Sequence, residues 1–408
     1  MRGRHKRKYI VLIGDGMADY AIPALDNKTP LQIAKTPHMD RIAACRIGRV
    51  KTIPDGMEPG SDVANLSLLG YDPLIYHTGR APLEAASMGV DLGPDQVAFR
   101  MNLVTLDRKS NDDIVMVSHS SGNISTPEAK QLVRTLKETM NIPPLRVYPG
   151  VAYRHLLVWD HGPDKADTIP PHDVLGQNMA LYLNRNPRGP VQDLVRASWE
   201  PLENHPVNRK RRQQGLMEAN SIWLWGQGKA PQLPLFSDRF GLRGGSVSAV
   251  DLLKGIGANA GFERIHVEGA TGYLDTNYQG KAEEALKGLN HLDFVFVHVE
   301  APDEASHEGS VKDKIRAIES FDEKVVGVIL RHLDAFDDLR VMVVSDHYTP
   351  ISKKTHTNEP APFAWADKKE LTSTVSGPGF SERNAEESGI FFEKGHDLMP
   401  AFLEHSSE

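Results

Sequence analysis

Among 408 residues there is one cysteine, Cys45. A single thiol excludes an internal disulfide framework and a cysteine-rich zinc module, and it fits a reducing compartment. Long apolar runs are missing as well: no stretch approaches the ~20 residues a bilayer-spanning helix needs. The first apolar run, "YIVLI", is too short for a signal-sequence core and passes straight into "GDG". Positive charge is not in excess either. With 47 Lys and Arg against 54 Asp and Glu, the formal net charge is −7, which argues against a general nucleic-acid binder. The basic opening, "MRGRHKRK", reads as a solvated tail. Neither an internal repeat nor a long low-complexity stretch is found. The expectation is a cytoplasmic protein that binds neither membrane nor nucleic acid.

What is present is an ordinary globular composition, 40% hydrophobic and 25% charged, in a chain long enough for two domains. Three apolar runs share one grammar. "YIVLIGDG" ends with Asp15, "DFVFVHVEAPDEASH" with Asp303 and His307, and "RVMVVSDH" with Asp346 and His347. None alternates cleanly with polar residues, which suits strands buried on both faces of a parallel sheet. Helical segments lie between them, "PLQIAKTPHMDRIAACR" and "VKDKIRAIESFDEKVVGVILRHL". This alternation implies a doubly wound, mostly parallel α/β sheet with polar sites outside the carboxyl ends of its strands.

The middle of the chain reads differently. The runs "FRMNLVTL", "DIVMVSH" and "YRHLLVW" are separated by Pro- and Gly-rich turns and by the helix "TPEAKQLVRTLKETM", with Thr126 as its cap and Pro127 at its first position. The expected organisation is a core domain over 1–75 and 195–408, interrupted by a smaller α+β domain over 76–194. On this reading the core resumes through "PVQDLVRASWEPLENHPVNRKRRQQGLMEA", "SIWLWGQG" and "FERIHVEG".

Asp303 and His307, four residues apart, share one face of a helical turn and can reach a single ion. With His356 from "KKTHT" they make an Asp/His/His set; Asp15, Asp346 and His347 make a second set. Oxygen and nitrogen ligands without thiolate suit Mn²⁺ or Zn²⁺ and are compatible with Mg²⁺ or Co²⁺; spacing does not choose among them. Two adjacent metals form a clamp for in-line phosphoryl displacement. Ser61 follows a Pro-Gly turn in "PGSDVANLSLLGYD" and opens an apparent helix. That place suits a nucleophile beside bound phosphate, and equally an N-cap.

Taken together, "IGDGMAD", "PGSDVANLSLLGYDP", "YHTGRAPLEAASMGV", "IWLWGQGKAPQLPLF", "GATGYLDTNYQGKAEEAL", "FVFVHVEAPDEASHEG" and "VSDHYTP" resemble the archaeal-type cofactor-independent phosphoglycerate mutases of the alkaline phosphatase superfamily, in register from about residue 8 to the C-terminus. The resemblance implies an alkaline phosphatase-like fold and a phosphoserine mechanism on two divalent metal ions, interconverting 3-phosphoglycerate and 2-phosphoglycerate without bisphosphoglycerate. By position in these motifs Asp15, Ser61, Asp346 and His347 hold one ion, and Asp303, His307 and His356 the other. Ser61 takes the phosphoryl group and returns it to the neighbouring hydroxyl of the retained glycerate. His119 in "VSHSSGN" matches the family's acid/base histidine, and the inserted domain is implied to close over the glycerate.

Arg80, Arg100, Asn102 and Arg154 are the candidate anchors for substrate phosphate and carboxylate, which a guanidinium fork bonds bidentately. The Arg-Asp pair and the Arg-Pro-Asp-Arg stretch of the longer bacterial mutases are not found in this chain. Two other readings use the same metals: a homoserine kinase-like phosphotransferase, or a metal-dependent phosphatase. A third is a metal-binding interaction protein that retains the fold, against which the full ligand set and Ser61 argue.

Overall fold

The computed structural model describes residues 7–139, 145–185, 187–373 and 376–404. Residues 1–6 of the basic opening and Met140, at the end of the helix expected from Thr126, lie outside them. The chain divides into two compact units, one of Met1–His77 with Gln232–Glu408 and the other of Thr78–Pro231. In chain order the strands are β1 (Lys8–Gly14), β2 (Ile47–Val50), β3 (Gln96–Ser110), β4 (Asp113–Ser118), β5 (Leu145–Tyr148), β6 (Arg154–Asp160), β7 (Ser221–Gly228), β8 (Gly244–Val247), β9 (Glu263–Arg264), β10 (Phe294–Val299), β11 (Leu339–Val344), β12 (Ala361–Asp367) and β13 (Phe391–Phe392).

The first unit is built on an eight-stranded sheet in the order β13-β2-β12-β11-β1-β10-β8-β9. It is mostly parallel; only β12 runs antiparallel to its two neighbours. Every residue of β10 and β11 is buried. That is why these runs lack alternation: both sets of alternating side chains are packed, Val295, Val297 and Val299 in the main apolar cluster and Phe294 against Phe236 and Phe262. Deleting such a side chain, Leu12→Ala for example, removes buried apolar contact worth about 2–5 kcal/mol. Register then places the chemistry. Ile13 pairs with His298 on one side and Val344 on the other, so β1, β10 and β11 end level and release Asp15, Glu300 and Asp346 at one edge. The doubly wound, mostly parallel α/β sheet is the one expected from the sequence.

Two helical expectations need correction in detail. "PLQIAKTPHMDRIAACR" forms two short helices, Pro30–Ile33 and Pro37–Ala43. Thr36, the residue before Pro37, sits at φ −127° and ψ 50°, because the proline ring excludes helical backbone there. The segment from Val311 to Arg331 is helical throughout, but widens into one π turn over Asp322–Val326. Within that turn the Asp322 carboxylate accepts the Met39 amide at 2.7 Å and lies 2.8 Å from His38 Nδ1.

The second unit holds a five-stranded sheet in which β3 is central. Along residues 96–104 it pairs antiparallel with β6 and β7, and beyond 105 with β4. This pairing overturns the expected return to the core at residue 195. β7, "SIWLWGQG", is apolar enough for either sheet, and only its non-local partner, β3, decides; the unit therefore runs on to Pro231. The helix Thr126–Thr139 turns Ala129, Leu132, Val133 and Leu136 inward. It begins one residue earlier than expected, and Ser125, not Thr126, bonds Glu128 at the helix start. Thr126 Oγ1 instead accepts the Ala152 amide.

Candidate active site

In the first unit the structure gathers Asp15, Ser61, Asp303, His307, Asp346, His347 and His356 at the carboxyl edge of the sheet. Asp15 leaves β1 in the turn "GDG". Gly16 there has φ +59°, and a Cβ on it would stand 2.6 Å from Asp303 Oδ1 and 2.5 Å from Thr349 Oγ1, so only glycine lets the three segments meet. The Gly16 and His347 amides both donate to Asp346 Oδ1 at 3.0 Å, and Asn65 Nδ2 donates to Asp346 Oδ2 at 2.9 Å.

Ser61 is the first residue of the helix Ser61–Leu68, whose N-cap is Gly60, and among the described residues its hydroxyl bonds an imidazole and no backbone amide. Oγ points instead at His347 Nε2, 3.2 Å away. The capping alternative for Ser61 is thus not the one the structure adopts. Asp303 and His307, on the helix Ala301–Glu308, stand 3.0 Å apart as the four-residue spacing requires. His356 Nε2 lies 3.1 Å from His307 Nε2 and 3.4 Å from Asp303 Oδ1.

Among the described residues, two sets of ligand atoms are close enough to share an ion: Asp303, His347 and His356, and Asp15, His298 and Asp346. His347 belongs to both neighbourhoods, because its Nε2 also lies 3.4 Å from Asp15 Oδ1 and 3.5 Å from Asp346 Oδ2. Hydrogen bonding fixes its tautomer. Thr349 Oγ1 gives its proton to Asp303 Oδ1 at 2.6 Å, so it accepts from His347 Nδ1–H at 3.1 Å. Burial holds this imidazole down to about 4, and its bare Nε2 lone pair then faces two carboxylates and a hydroxyl.

Among the described residues, Asp15 Oδ1 is buried without a hydrogen-bond partner. Burial, and then the Asp346 and Asp303 carboxylates, push Asp15 well above the ordinary carboxylate range. Carboxylates and an imidazole lone pair converging at Asp15, Asp346 and His347 are what a divalent cation neutralises, so these residues fit metal ions. The His307 Nδ1–H donates to the Lys354 carbonyl at 2.9 Å, which turns Nε2 toward the same place. Burial acts to lower His307, but its bond to Asp303 outweighs this and holds it up at about 9. Asp303, although burial acts to raise it, is held well below its usual range by His307 and His356.

Sequence reasoning passed over His298. It lies inside the apolar run "FVFVHV", fully buried, with Nε2 2.9 Å from Asp15 Oδ2. Burial pushes it down to about 4, so it is a neutral donor to that carboxylate. The available signal was one imidazole in an otherwise apolar buried strand, where a polar group requires a partner.

The second unit brings together Arg80, Arg100, Asn102, His119 and Arg154. Arg80 opens the helix Arg80–Ser87 after Gly79, whose φ of +130° and close approach to the Gln227 carbonyl leave no room for a Cβ. Burial pulls the Arg100 guanidinium below its ordinary value; Glu84, 3.0 Å away, opposes this, and Arg80 and Arg154 add to it. Arg154 lies over the Tyr153 ring at 5.7 Å, and His119 meets that ring edge-on at 5.6 Å. Asn102 is engaged at both ends, accepting from Trp225 Nε1 and donating to the His119 carbonyl, each at 3.1 Å. Behind His119, Ser121, Gly122 and Asn123 all take positive φ, a tight turn that sets the imidazole at the end of β4.

The sequence profile described as 2,3-bisphosphoglycerate-independent phosphoglycerate mutase matches residues 43–208. A probable 2,3-bisphosphoglycerate-independent phosphoglycerate mutase of Geobacter sulfurreducens is 48% identical over 402 residues, covering 97% of this chain and 100% of the relative. The Methanosarcina acetivorans protein named 2,3-bisphosphoglycerate-independent phosphoglycerate mutase is 54% identical over 362 residues, 88% of this chain and 90% of its own. A solved Pyrococcus horikoshii protein superposes with a TM-score of 0.80 at 31% identity, over 98% of this chain and 97% of that one. Near half of all positions agree along almost the full length of both chains, and on that likeness the protein belongs to the family of 2,3-bisphosphoglycerate-independent phosphoglycerate mutases.

Proposed function

We propose that this chain is an isomerase that moves the phosphoryl group between the 3- and 2-positions of glycerate, by way of a phosphoserine at Ser61. The observation that carries the reading is the Ser61 hydroxyl: it stands one residue past the N-cap position of its helix and bonds His347 Nε2 among buried carboxylates. Asp15, Ser61, Asp346 and His347 would hold one divalent ion, and Asp303, His307 and His356 the second. The donor set of carboxylates and imidazoles suits Mn²⁺ or Zn²⁺ and is compatible with Mg²⁺ or Co²⁺. Bound there, the ions supply Lewis acidity, acidifying the serine hydroxyl and neutralising phosphoryl charge.

The residues then divide the work. Ser61 Oγ attacks phosphorus, and the bond from phosphorus to the glycerate 3-oxygen breaks. His119, its proton affinity lowered by burial, serves as an acid/base for the glycerate oxygens, toward the departing 3-oxygen or the attacking 2-hydroxyl. Arg80, Arg100 and Arg154 retain the glycerate carboxylate and phosphate meanwhile. Asn102, with both amide ends occupied by protein, positions His119. No bisphosphoglycerate is required, because the substrate itself is the phosphoryl donor.

The mutase name carried by full-length relatives favours this isomerase over the homoserine kinase-like and phosphatase readings. The test is a coupled assay with purified protein and Mn²⁺. Conversion of 3-phosphoglycerate to 2-phosphoglycerate in the absence of bisphosphoglycerate is expected. ATP-dependent phosphorylation of homoserine without mutase activity would overturn it.

A further inference from the structure

Two imidazoles, not one, stand among the arginines of the second unit. His172 follows β6 in an irregular segment that drew no notice in the sequence. Its ring lies edge-on to His119 with centroids 6.3 Å apart, and edge-on to Trp225 at 5.3 Å. Trp225 is also the ring under the Arg100 guanidinium, 4.1 Å from its centroid, and it reaches the His119 carbonyl through Asn102. One indole therefore locates both histidines and an anion-binding arginine.

The charged and titratable groups facing His172 are Asp173, whose Oδ1 lies 3.5 Å from Nε2, and Arg80, His119 and Arg100. Burial lowers the proton affinity of His172; Asp173 opposes this, while Arg80, His119 and Arg100 reinforce it. An imidazole whose proton affinity is lowered in this way, set among groups that would hold the glycerate, gives a proton up readily to a nearby oxygen, as a proton carrier needs.

We propose that His172 is a second catalytic residue of the mutase, sharing with His119 the proton that travels between the two glycerate oxygens. The proposal rests on the function argued above. In the forward direction Ser61, as the alkoxide, forms its bond to phosphorus while the bond from phosphorus to the 3-oxygen breaks, and that oxygen takes a proton from one imidazolium. The 2-hydroxyl then gives its proton to the other, neutral imidazole as the 2-oxygen bonds phosphorus and the serine alkoxide leaves. One proton is lent and one recovered. A single water can bridge rings at this separation and return the proton for the next turnover. Each oxygen is thus served in place, and neither ring has to follow the substrate.

The experiment compares wild-type protein with His172→Gln and His172→Asn. The His172 side chain is 46% exposed, so both variants are expected to melt with the wild type and to retain its metal content. At saturating Mn²⁺, kcat for 3-phosphoglycerate should fall tenfold or more with KM changed less than threefold, and the kcat against pH profile should lose one limb in the imidazole range. Proton NMR of the ring C2–H signals should show the His119 titration moving when His172 is replaced. Unchanged kcat, or a raised KM with kcat and the pH profile intact, overturns the proposal. Failure of wild-type protein to convert 3-phosphoglycerate would instead refute the function on which it rests.

Discussion

His347 Nε2 lies 3.2 Å from Ser61 Oγ, and the same nitrogen lies 3.4 Å from Asp15 Oδ1. With its Nδ1–H committed to Thr349, that nitrogen carries only a lone pair, which accepts the Ser61 O–H and faces the Asp15 and Asp346 carboxylates, so imidazole and carboxylates present electrons toward one another. Positive charge at their centre resolves the conflict. Chelation should therefore abolish turnover and lower the melting temperature, and Mn²⁺ should restore both. Because ligands compete with protons, affinity for the ion should weaken in acid, as His307, held up at about 9, keeps its proton against the metal. Titration calorimetry from pH 8 down to 6 measures this; affinity independent of pH would contradict it.

Ser61→Ala tests the nucleophile apart from the fold. Among the described residues the hydroxyl bonds an imidazole and no backbone amide, so the loss of stability should stay under about 1 kcal/mol. Turnover should fall by several orders of magnitude. Thermal melting and the coupled assay on one preparation separate the two effects.

His298→Asn should leave the strand intact and lower metal affinity ten- to a hundredfold, because the imidazole 2.9 Å from Asp15 Oδ2 orients that carboxylate. Elemental analysis after dialysis against graded Mn²⁺ reads this directly. Wild-type metal retention would show that Asp15 holds its place without it.

The second unit carries its own pH signature. Burial pushes His155 down to about 4, and its Nδ1 accepts the Gly150 amide at 3.1 Å. An unfolded imidazole protonates near ~6.5, so between the two values the unfolded chain binds more protons and folding weakens as pH falls. Stability should be complete above about pH 6.5 and decline toward pH 4 by on the order of 2–3 kcal/mol. Denaturant melts of metal-free wild type and His155→Gln across that window check it, the variant giving the flatter curve.

Arg80→Ala and Arg154→Ala should cut kcat/KM for phosphoglycerate by about a hundredfold, the cost of losing a charged hydrogen-bond partner for a bound anion. Metal content should not change. Hydrolysis of an aryl phosphate, whose leaving group needs neither arginine nor acid catalysis, should suffer far less. Equal losses on both substrates would place these arginines outside glycerate recognition.

Much of this was legible in the sequence where local pattern and chemistry coincide. Unbroken apolar runs announced β1, β10 and β11, and the polar residues at their ends announced the cluster, because in-register parallel strands must end at one edge. The i, i+4 spacing of Asp303 and His307 translated directly into a contact. Where partners are distant in the chain, pattern failed. β7 could have joined either sheet, and its pairing with β3 alone settles the boundary at Pro231. His298 resembled core because its partner, Asp15, lies at the far end of the chain. His172 carries no local signature, and only the tertiary packing of Trp225 brings it to His119.

The most direct test of the account is the fate of phosphorus when 3-phosphoglycerate turns over in water labelled with oxygen-18. Transfer through Ser61 with the glycerate retained predicts 2-phosphoglycerate as the product, unlabelled at phosphorus, with a phosphate on the Ser61 peptide in acid-quenched samples. Labelled inorganic phosphate as the main product, or 2-phosphoglycerate formed as rapidly by Ser61→Ala, would contradict it.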